Sequence, residues 1–382
     1  MSTVDGHILT PRGFVRGRLE SVSGRITRVE GDPVATADVR DATTLIVLPG
    51  FIDLHVHGAG GRDIMEGGDG AAKITRIHAE HGTTSLLATT MTAPTADLDV
   101  AFAGLAGSLS SLSPRDRAGE SAPSPKGARV LGVHLEGPYI NPGQLGAQPP
   151  FARLLDLEEL RRLDAVVPIK VITLAPEVPG HMEAIEALRT EGYRVQLGHS
   201  VATYEEGVEA LARGARSFTH LFNAMSAMHH RKPGLVGAAL GHGDYAEIIV
   251  DLLHVHPGAI RVALRSIPHL YCVTDSTAAA GMPDGDYKLG RHTVTKCMGG
   301  VRLADGTLAG STLTMDQAFR NLVNEIGLDL RDASNRVSTF AADYLGCEDR
   351  GRLAPGAWAD LAILDRDLKL VDVWLEGAPI SS

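Results

Sequence analysis

Through the first 48 residues, short apolar segments such as Phe14-Val15 and Arg25-Ile26-Thr27-Arg28-Val29 are cut by glycine and aspartate. That texture predicts brief strands joined by turns. From Ile52 it changes. Apolar, β-branched runs alternate with stretches of helical period, Ala72 to His81 among them, and such alternation predicts βαβ units around a parallel sheet. Eight runs occur, at 51–57, Ser85–Thr90, Arg129–Glu136, Ile169–Leu174, Arg194–His199, Ser217–Leu221, Ile248–His254 and Leu270–Asp275. Eight strands with helices between them predict an α/β fold of the (β/α)8 TIM-like barrel type, in which active sites lie at the C-terminal ends of the strands. From Gly351 to Leu364 the chain returns to short strands and turns, and this tail is expected to join the N-terminal segment in one small sheet. No internal repeat or coiled-coil heptad is present.

Five of the eight runs end on histidine, glutamate or aspartate, and a sixth carries His220 one residue before its end. Random packing would scatter such residues along the strands, so their gathering at one rim predicts a polar site on an apolar barrel. The first run closes as Asp53-Leu54-His55-Val56-His57-Gly58. Residues two apart in a strand share a face, so His55 and His57 can aim two imidazoles at one point. On its own the pair is equally what two packed core histidines look like. The third run ends His134-Leu135-Glu136-Gly137-Pro138, the fifth Gly198-His199-Ser200 and the sixth Thr219-His220-Leu221. Two histidines and one carboxylate, with room for water, are the ligand set of a catalytic rather than a closed structural zinc site. His134, one layer deeper than Glu136, reads as a packed supporting residue. Asp275, at the end of the eighth run, is placed to move a proton to and from water.

Composition narrows the field. The 382 residues carry a net charge of −10, which argues against a broad basic face for nucleic acid or an anionic membrane but leaves room for a small anionic substrate. No stretch resembles a membrane span or a signal peptide, so the cytoplasm is the expected compartment. Three widely spaced cysteines, Cys272, Cys297 and Cys347, are expected to be free, buried thiols. Two rim or surface loops stand out. Residues 104–128 hold a Ser/Pro/Gly-rich stretch expected to be a surface connection, and Pro138–Pro150 is placed to cover the site.

Pro-Gly-Phe-Ile-Asp-x-His-x-His, His-Leu-Glu-Gly-Pro, Gly-His-Ser, Thr-His-Leu-Phe-Asn-Ala-Met and Thr-Asp-Ser-Thr-Ala-Ala-Ala-Gly occur in this order between Pro49 and Gly281. Together they resemble the amidohydrolase superfamily and, within it, the N-acetylglucosamine-6-phosphate deacetylase family. The resemblance implies a metal-dependent barrel over residues 49–354 and a small β-sandwich built from both termini, 1–48 and 355–382. It implies hydrolysis of the acetamide of N-acetylglucosamine 6-phosphate to glucosamine 6-phosphate and acetate. The implied metal residues are Glu136, His199 and His220, with His55 and His57 at a second position. Asp275 is implied beside the metal as general base and acid. The implied cofactor is one or two divalent ions per subunit, Zn2+ first, with Fe2+, Mn2+ or Co2+ as alternatives.

His254 is implied to polarise the acetyl carbonyl. Asn223, Ala224 and Thr312 are implied substrate contacts, and Arg231 is implied to cross a homodimer interface to the same phosphate, for which an arginine fork is suited. One position departs from the family pattern: the loop reads Gly146-Ala147-Gln148-Pro149-Pro150 where many relatives have Gly-Ala-His-x-Pro. Glutamine can bond a sugar hydroxyl but carries no charge, so the preferred epimer stays open between the gluco and galacto sugars. A cyclic amidase or D-aminoacylase would be expected to bridge its metals with a lysine at the end of the fourth strand; Lys170 lies at the beginning instead. A non-catalytic sugar-phosphate binder is the remaining alternative, weighed against by the completeness of the set.

Overall fold

A computed structural model describes residues 1–40, 44–112 and 127–380. Eight parallel strands, Phe51–Val56, Thr83–Thr90, Arg129–Glu136, Ile169–Leu174, Arg194–Leu197, Ser217–Phe218, Tyr245–Ile249 and His269–Val273, form the barrel. The first six are one hydrogen-bonded sheet and the last two another. Backbone bonds between the sheets close the circle: Leu221 N–H donates to Glu247 O at 2.9 Å, and Asp275 N–H to His55 O at 2.9 Å. The first two strands are buried along their whole length, as expected of strands covered by helices outside and side chains within.

A helix follows each strand, from Gly70–Glu80 after the first to Pro257–Ser266 after the seventh. A helical run from Met315–Asn321 to Phe340–Leu345 follows the eighth. The chain's own chemistry sets several starts. Thr203 and Glu206 form a reciprocal capping box ahead of Tyr204–Arg213, and Asp156 caps Leu157–Asp164, each satisfying backbone N–H groups that the first turn leaves unpaired.

Seven strands from both ends of the chain make a second sheet: Ser2–Thr10, Gly13–Val22, Arg25–Pro33 and Ile46–Pro49, then Leu361–Leu364, Leu370–Leu375 and Ala378–Pro379. It curls on itself, since Ile26 N–H donates to Ala357 O at 2.8 Å. Inside lies a separate apolar core that includes Ile8, Leu19, Ile26, Val47, Leu353, Leu361 and Ile363. Where this sheet passes into the barrel, Gly50 has no room for a side chain, because a Cβ there would run into Thr84.

Two expectations need correction, and one element was not anticipated. The stretch from residue 104 was expected to be loop, but Thr95–Leu112 is one helix; the proline-rich part, Ser121 to Pro125, lies outside the described residues. The cysteines are free but not all buried: Cys272 is, Cys347 is half-buried and Cys297 is exposed. A three-stranded hairpin sheet, Gly285–Leu289, His292–Cys297 and Gly300–Arg302, follows the eighth strand. Its strands are largely polar and half-exposed, so the apolar runs used to count strands passed over it. It packs through Leu289, Val294 and Val301 against Met91, Ala279 and Ala309.

Candidate metal-binding active site

His55 lies within the first strand and Glu136 ends the third, as expected, but the other rim residues lie just past their strands. The fifth strand stops at Leu197, the sixth at Phe218 and the eighth at Val273. His199, His220 and Asp275 follow with φ of 48°, 30° and 50°. Left-handed backbone is uncommon for residues other than glycine and clusters where structure enforces it. Here it ends the ladder and swings each side chain over the mouth. Strand seven stops at Ile249, so His254 sits on a loop five residues beyond.

Four imidazoles and two carboxylates meet above the barrel. His199 and His220 bring their Nε2 atoms within 3.0 Å of each other, and His55 and His57 within 3.1 Å. Glu136 lies between the pairs. Its Oε1 is 2.9 Å from His220 Nε2 and 3.2 Å from His199 Nε2, and its Oε2 is 3.2 Å from His57 Nε2. Asp275 Oδ1 is 3.3 Å from His57 Nε2 and 3.5 Å from His55 Nε2. All six residues are at most 7% exposed.

The outer ring nitrogens fix how these rings face. His57 Nδ1 is 3.2 Å from Thr89 O, His199 Nδ1 is 2.8 Å from Gln144 O, and His55 Nδ1 is 3.0 Å from the Glu247 carboxylate. Carbonyl and carboxylate oxygens only accept, so each Nδ1 carries the proton and each Nε2 points inward as a donor of electrons. Facing nitrogen pairs at this separation repel unless a cation lies between or beside them. Among the described residues, Glu136–His199–His220 and His55–His57–Glu136 are two of three groups whose ligand atoms all fall within 4.8 Å. Imidazole nitrogens with carboxylate oxygens suit a borderline divalent ion, so the residues fit such an ion.

Without metal, the cluster is held together by protons. Burial disfavours the charged form of His57, but the Asp275 and Glu136 carboxylates outweigh it and lift the imidazole to about 9. His55 and His220 are raised for the same reason. Burial acts against the Glu136 carboxylate too, yet His55, His199 and His220 hold it well below the usual range. Asp275 is likewise lowered, with His55 and His57 overcoming its burial.

The site opens into a cavity of about 240 Å³ whose walls include Gln148, Asn223, Ala224, His254 and Leu308. A family model described as the amidohydrolase family matches residues 46–380.

The chain belongs to the amidohydrolase family.

Among its relatives, the N-acetylgalactosamine-6-phosphate deacetylase of Escherichia coli O157:H7 is 38% identical over 378 residues, covering 97% of this chain and 96% of that one. The N-acetylglucosamine-6-phosphate deacetylase of Lysinibacillus sphaericus is 39% identical over 340 residues, 87% of this chain and 85% of that one. An N-acetyl-D-glucosamine-6-phosphate deacetylase from Mycobacterium smegmatis, an aspartate-to-alanine mutant solved with N-acetyl-D-glucosamine-6-phosphate, superposes with a TM-score of 0.87 at 33% identity. That match covers 99% of this chain and 98% of that one. The N-acetylglucosamine-6-phosphate deacetylase of Thermotoga maritima matches with a TM-score of 0.84 at 33% identity, over 99% of each chain.

In this amidohydrolase the loop after the third strand is bonded into the site. Gln148 Oε1 accepts from Thr92 N–H at 2.7 Å, which turns its Nε2 onto Glu136 Oε2 at 2.5 Å. Gln148 therefore braces the carboxylate between the two histidine pairs. Glu177 fastens the same loop, accepting from Asn141 Nδ2 at 2.9 Å and from Ser200 Oγ at 2.7 Å. His254 Nδ1 is 2.6 Å from Asp251 Oδ2.

Three sequence-predicted residues are not on the cavity wall: His55 is fully buried beneath it, and Thr312 and Arg231 lie outside it. Thr312 gives its hydroxyl to Gly299 O at 3.2 Å, and the wall near it is made by Thr307, Leu308 and Gly310. Arg231 lies on an exposed loop with one guanidinium nitrogen 2.7 Å from His230 Nε2. His134 has both nitrogens engaged, at 3.1 Å from Leu54 O and 2.8 Å from Thr173 Oγ1. Sequence reasoning missed Asp53, Asp251 and Glu247. Asp53 is fully buried and accepts from Thr274 Oγ1 at 2.6 Å, tying the first strand to the eighth. Its signal was available, as a charge within an apolar run; so was that of Glu247 in Tyr245-Ala246-Glu247-Ile248-Ile249.

Proposed function

We propose that this chain is a metal-dependent deacetylase that hydrolyses the acetamide of N-acetyl-D-glucosamine 6-phosphate to D-glucosamine 6-phosphate and acetate. The observation that carries the reading is the convergence of four inward-facing imidazole nitrogens, Glu136 and Asp275 on one cavity, in an amidohydrolase whose relatives are named for this reaction. Glu136, His199 and His220 would hold a first divalent ion, and His55 with His57 a second; zinc suits this nitrogen-rich set. Such an ion supplies Lewis acidity toward water and toward a carbonyl oxygen.

The chain's own groups do the proton work. Asp275, ionised and open to the cavity, accepts a proton from the attacking water and returns it to the departing amine. His254 is oriented by its Nδ1 contact with Asp251, and in its doubly protonated form Nε2–H would donate to the acetyl oxygen as negative charge develops there. Asn223 and Ala224 are placed to meet the sugar phosphate at the wall. Arg231 lies on the surface of its own subunit, and the reading assigns it to the phosphate in a neighbouring copy of a homodimer. The compartment assigned is the cytoplasm, because a sugar phosphate dianion does not cross a bilayer unaided.

Acetate release by metal-stripped protein resupplied with zinc tests this directly. Fast turnover of N-acetylglucosamine 6-phosphate, with little of the unphosphorylated sugar, is the expected result. Arg231→Ala should raise KM for the phosphorylated sugar about 10- to 100-fold, the loss of a charged hydrogen bond. The galacto epimer belongs in the same assay, since a relative covering 96% of its own length is named for it; preferential cleavage of that sugar would move the substrate assignment. No acetate from any of the three would overturn the reading.

A further inference from the structure

A carboxylate lies completely buried beneath the site, on a strand whose other residues are apolar. Glu247, in the seventh strand, is 0% exposed. A charge so placed is costly unless partnered, and its partners belong to both candidate metal positions. Its Oε2 accepts from His55 Nδ1 at 3.0 Å and from the backbone N–H of His220 at 3.2 Å. His55 lies in the group with His57, and His220 in the group with His199. Oε1 makes no hydrogen bond in the structure and stands 3.9 Å from His134 Nδ1.

We propose that Glu247 is a positioning residue that serves both metal positions through one oxygen, acting most strongly on the second, where it orients the His55 ring. The inference rests on the metal site of the proposed function. With its Nδ1 proton given to Glu247, His55 turns Nε2 toward His57, Glu136 and Asp275, at 3.1, 3.5 and 3.5 Å. His220 is held differently. Its backbone, at a φ of 30°, is anchored at the N–H while its ring is placed from elsewhere. Partners of this kind, one bond removed from a ligand, typically account for about 10- to 100-fold in metal affinity. The seventh strand is also where the two parts of the barrel meet, through the bond from Leu221 N–H to Glu247 O. The residue thus links strand closure to ligand aim.

What matters on this view is the reach of the side chain, and two variants separate reach from charge. Glu247→Gln keeps an oxygen able to accept both hydrogen bonds; Glu247→Asp keeps the charge but withdraws it by one methylene. Metal-stripped wild type and variants, checked for retained fold by circular dichroism, are titrated with Zn2+ against a chromophoric chelator. The expected result is two ions in the wild type, a second ion about 10- to 100-fold weaker in Glu247→Asp, and a smaller loss in Glu247→Gln. Equal affinities in all three, or a loss in Glu247→Gln with Glu247→Asp intact, would overturn the proposal. A wild type that takes up a single ion also overturns it while leaving the proposed function standing; one that takes up none overturns both.

Discussion

Stripping the metal from this site should make the chain's stability fall as pH rises, and His57 contributes a sizeable share of the effect beside His55 and His220, which are raised in the same direction. Its imidazole, 3% exposed, is held up to about 9 by Asp275 and Glu136, against about 6.5 in an unfolded chain. A histidine whose folded value is raised contributes stability that is fully present below the unfolded value. That stability is lost as pH climbs through the folded value. The separation corresponds to about 3 kcal/mol at pH 6.5 and to about 1 kcal/mol at pH 8.5, so about 2 kcal/mol disappears across the window. His78 and His134, both pushed down to about 4 by burial, are neutral in the folded chain throughout the window, and the protons that their unfolded imidazoles lose near 6.5 oppose the fall by about 0.4 kcal/mol each. Asp53, pushed up to about 7 by burial, titrates partly within it, in the same direction as His57, so His57→Gln is the control that isolates one imidazole. The assay is urea unfolding of chelator-treated protein at pH 6.5, 7.5 and 8.5, beside zinc-reloaded protein. The unfolding free energy of the stripped wild type should fall across the series, with a shallower fall in His57→Gln. The reloaded protein should not follow it, because ligands that give up protons to a cation bind it more tightly as pH rises. Constant or rising stability of the stripped wild type, or identical slopes in wild type and variant, would refute the proton-held description of the site.

Asp275→Asn keeps the shape of the side chain while removing the proton acceptor. It should lower kcat by about 10²- to 10⁴-fold with the bound metal retained, and an acetate-release rate within tenfold of wild type would sink the assignment of the base. Gln148→Ala leaves Thr92 N–H and Glu136 Oε2 without their partner. An unfolding free energy lower by about 1 to 3 kcal/mol, together with weaker zinc retention against a chelator, is the expected pair of changes; if only stability drops, Gln148 braces the loop and not the carboxylate.

What the sequence made legible follows from how far apart the interacting residues are. The period of two in Asp53-Leu54-His55-Val56-His57 places both rings on one side of a strand by local geometry alone, and the structure brings their Nε2 atoms to 3.1 Å. The apolar runs likewise announced eight barrel strands, because a strand buried on both faces must be apolar along its length. The same signal overran the ends. Runs drawn through His199, Leu221, His254 and Asp275 continue past points where the backbone turns left-handed or leaves the sheet, since hydropathy registers burial and His199, Leu221 and Asp275 are buried for a different reason, with His254 half-buried beside them.

The bracing contacts were illegible in a stronger sense. Glu247 meets His55 from 192 positions away, Gln148 meets Glu136 across 12, and His199 meets Gln144 across 55. No period encodes such pairs. What sequence does carry is a mismatch, in that each of Asp53 and Glu247 is a charge inside a run that otherwise has no use for one. Burying a carboxylate is costly enough that such a residue implies a partner before the partner is known. In this barrel both mismatches resolve beneath one site, and they do so by different bonds. Asp53 joins the strand of His55 to the strand that ends before Asp275, through Thr274, whereas Glu247 reaches a ring and a backbone amide. The placement of His55 is thus set from two strands at once, by side chains that never enter the cavity.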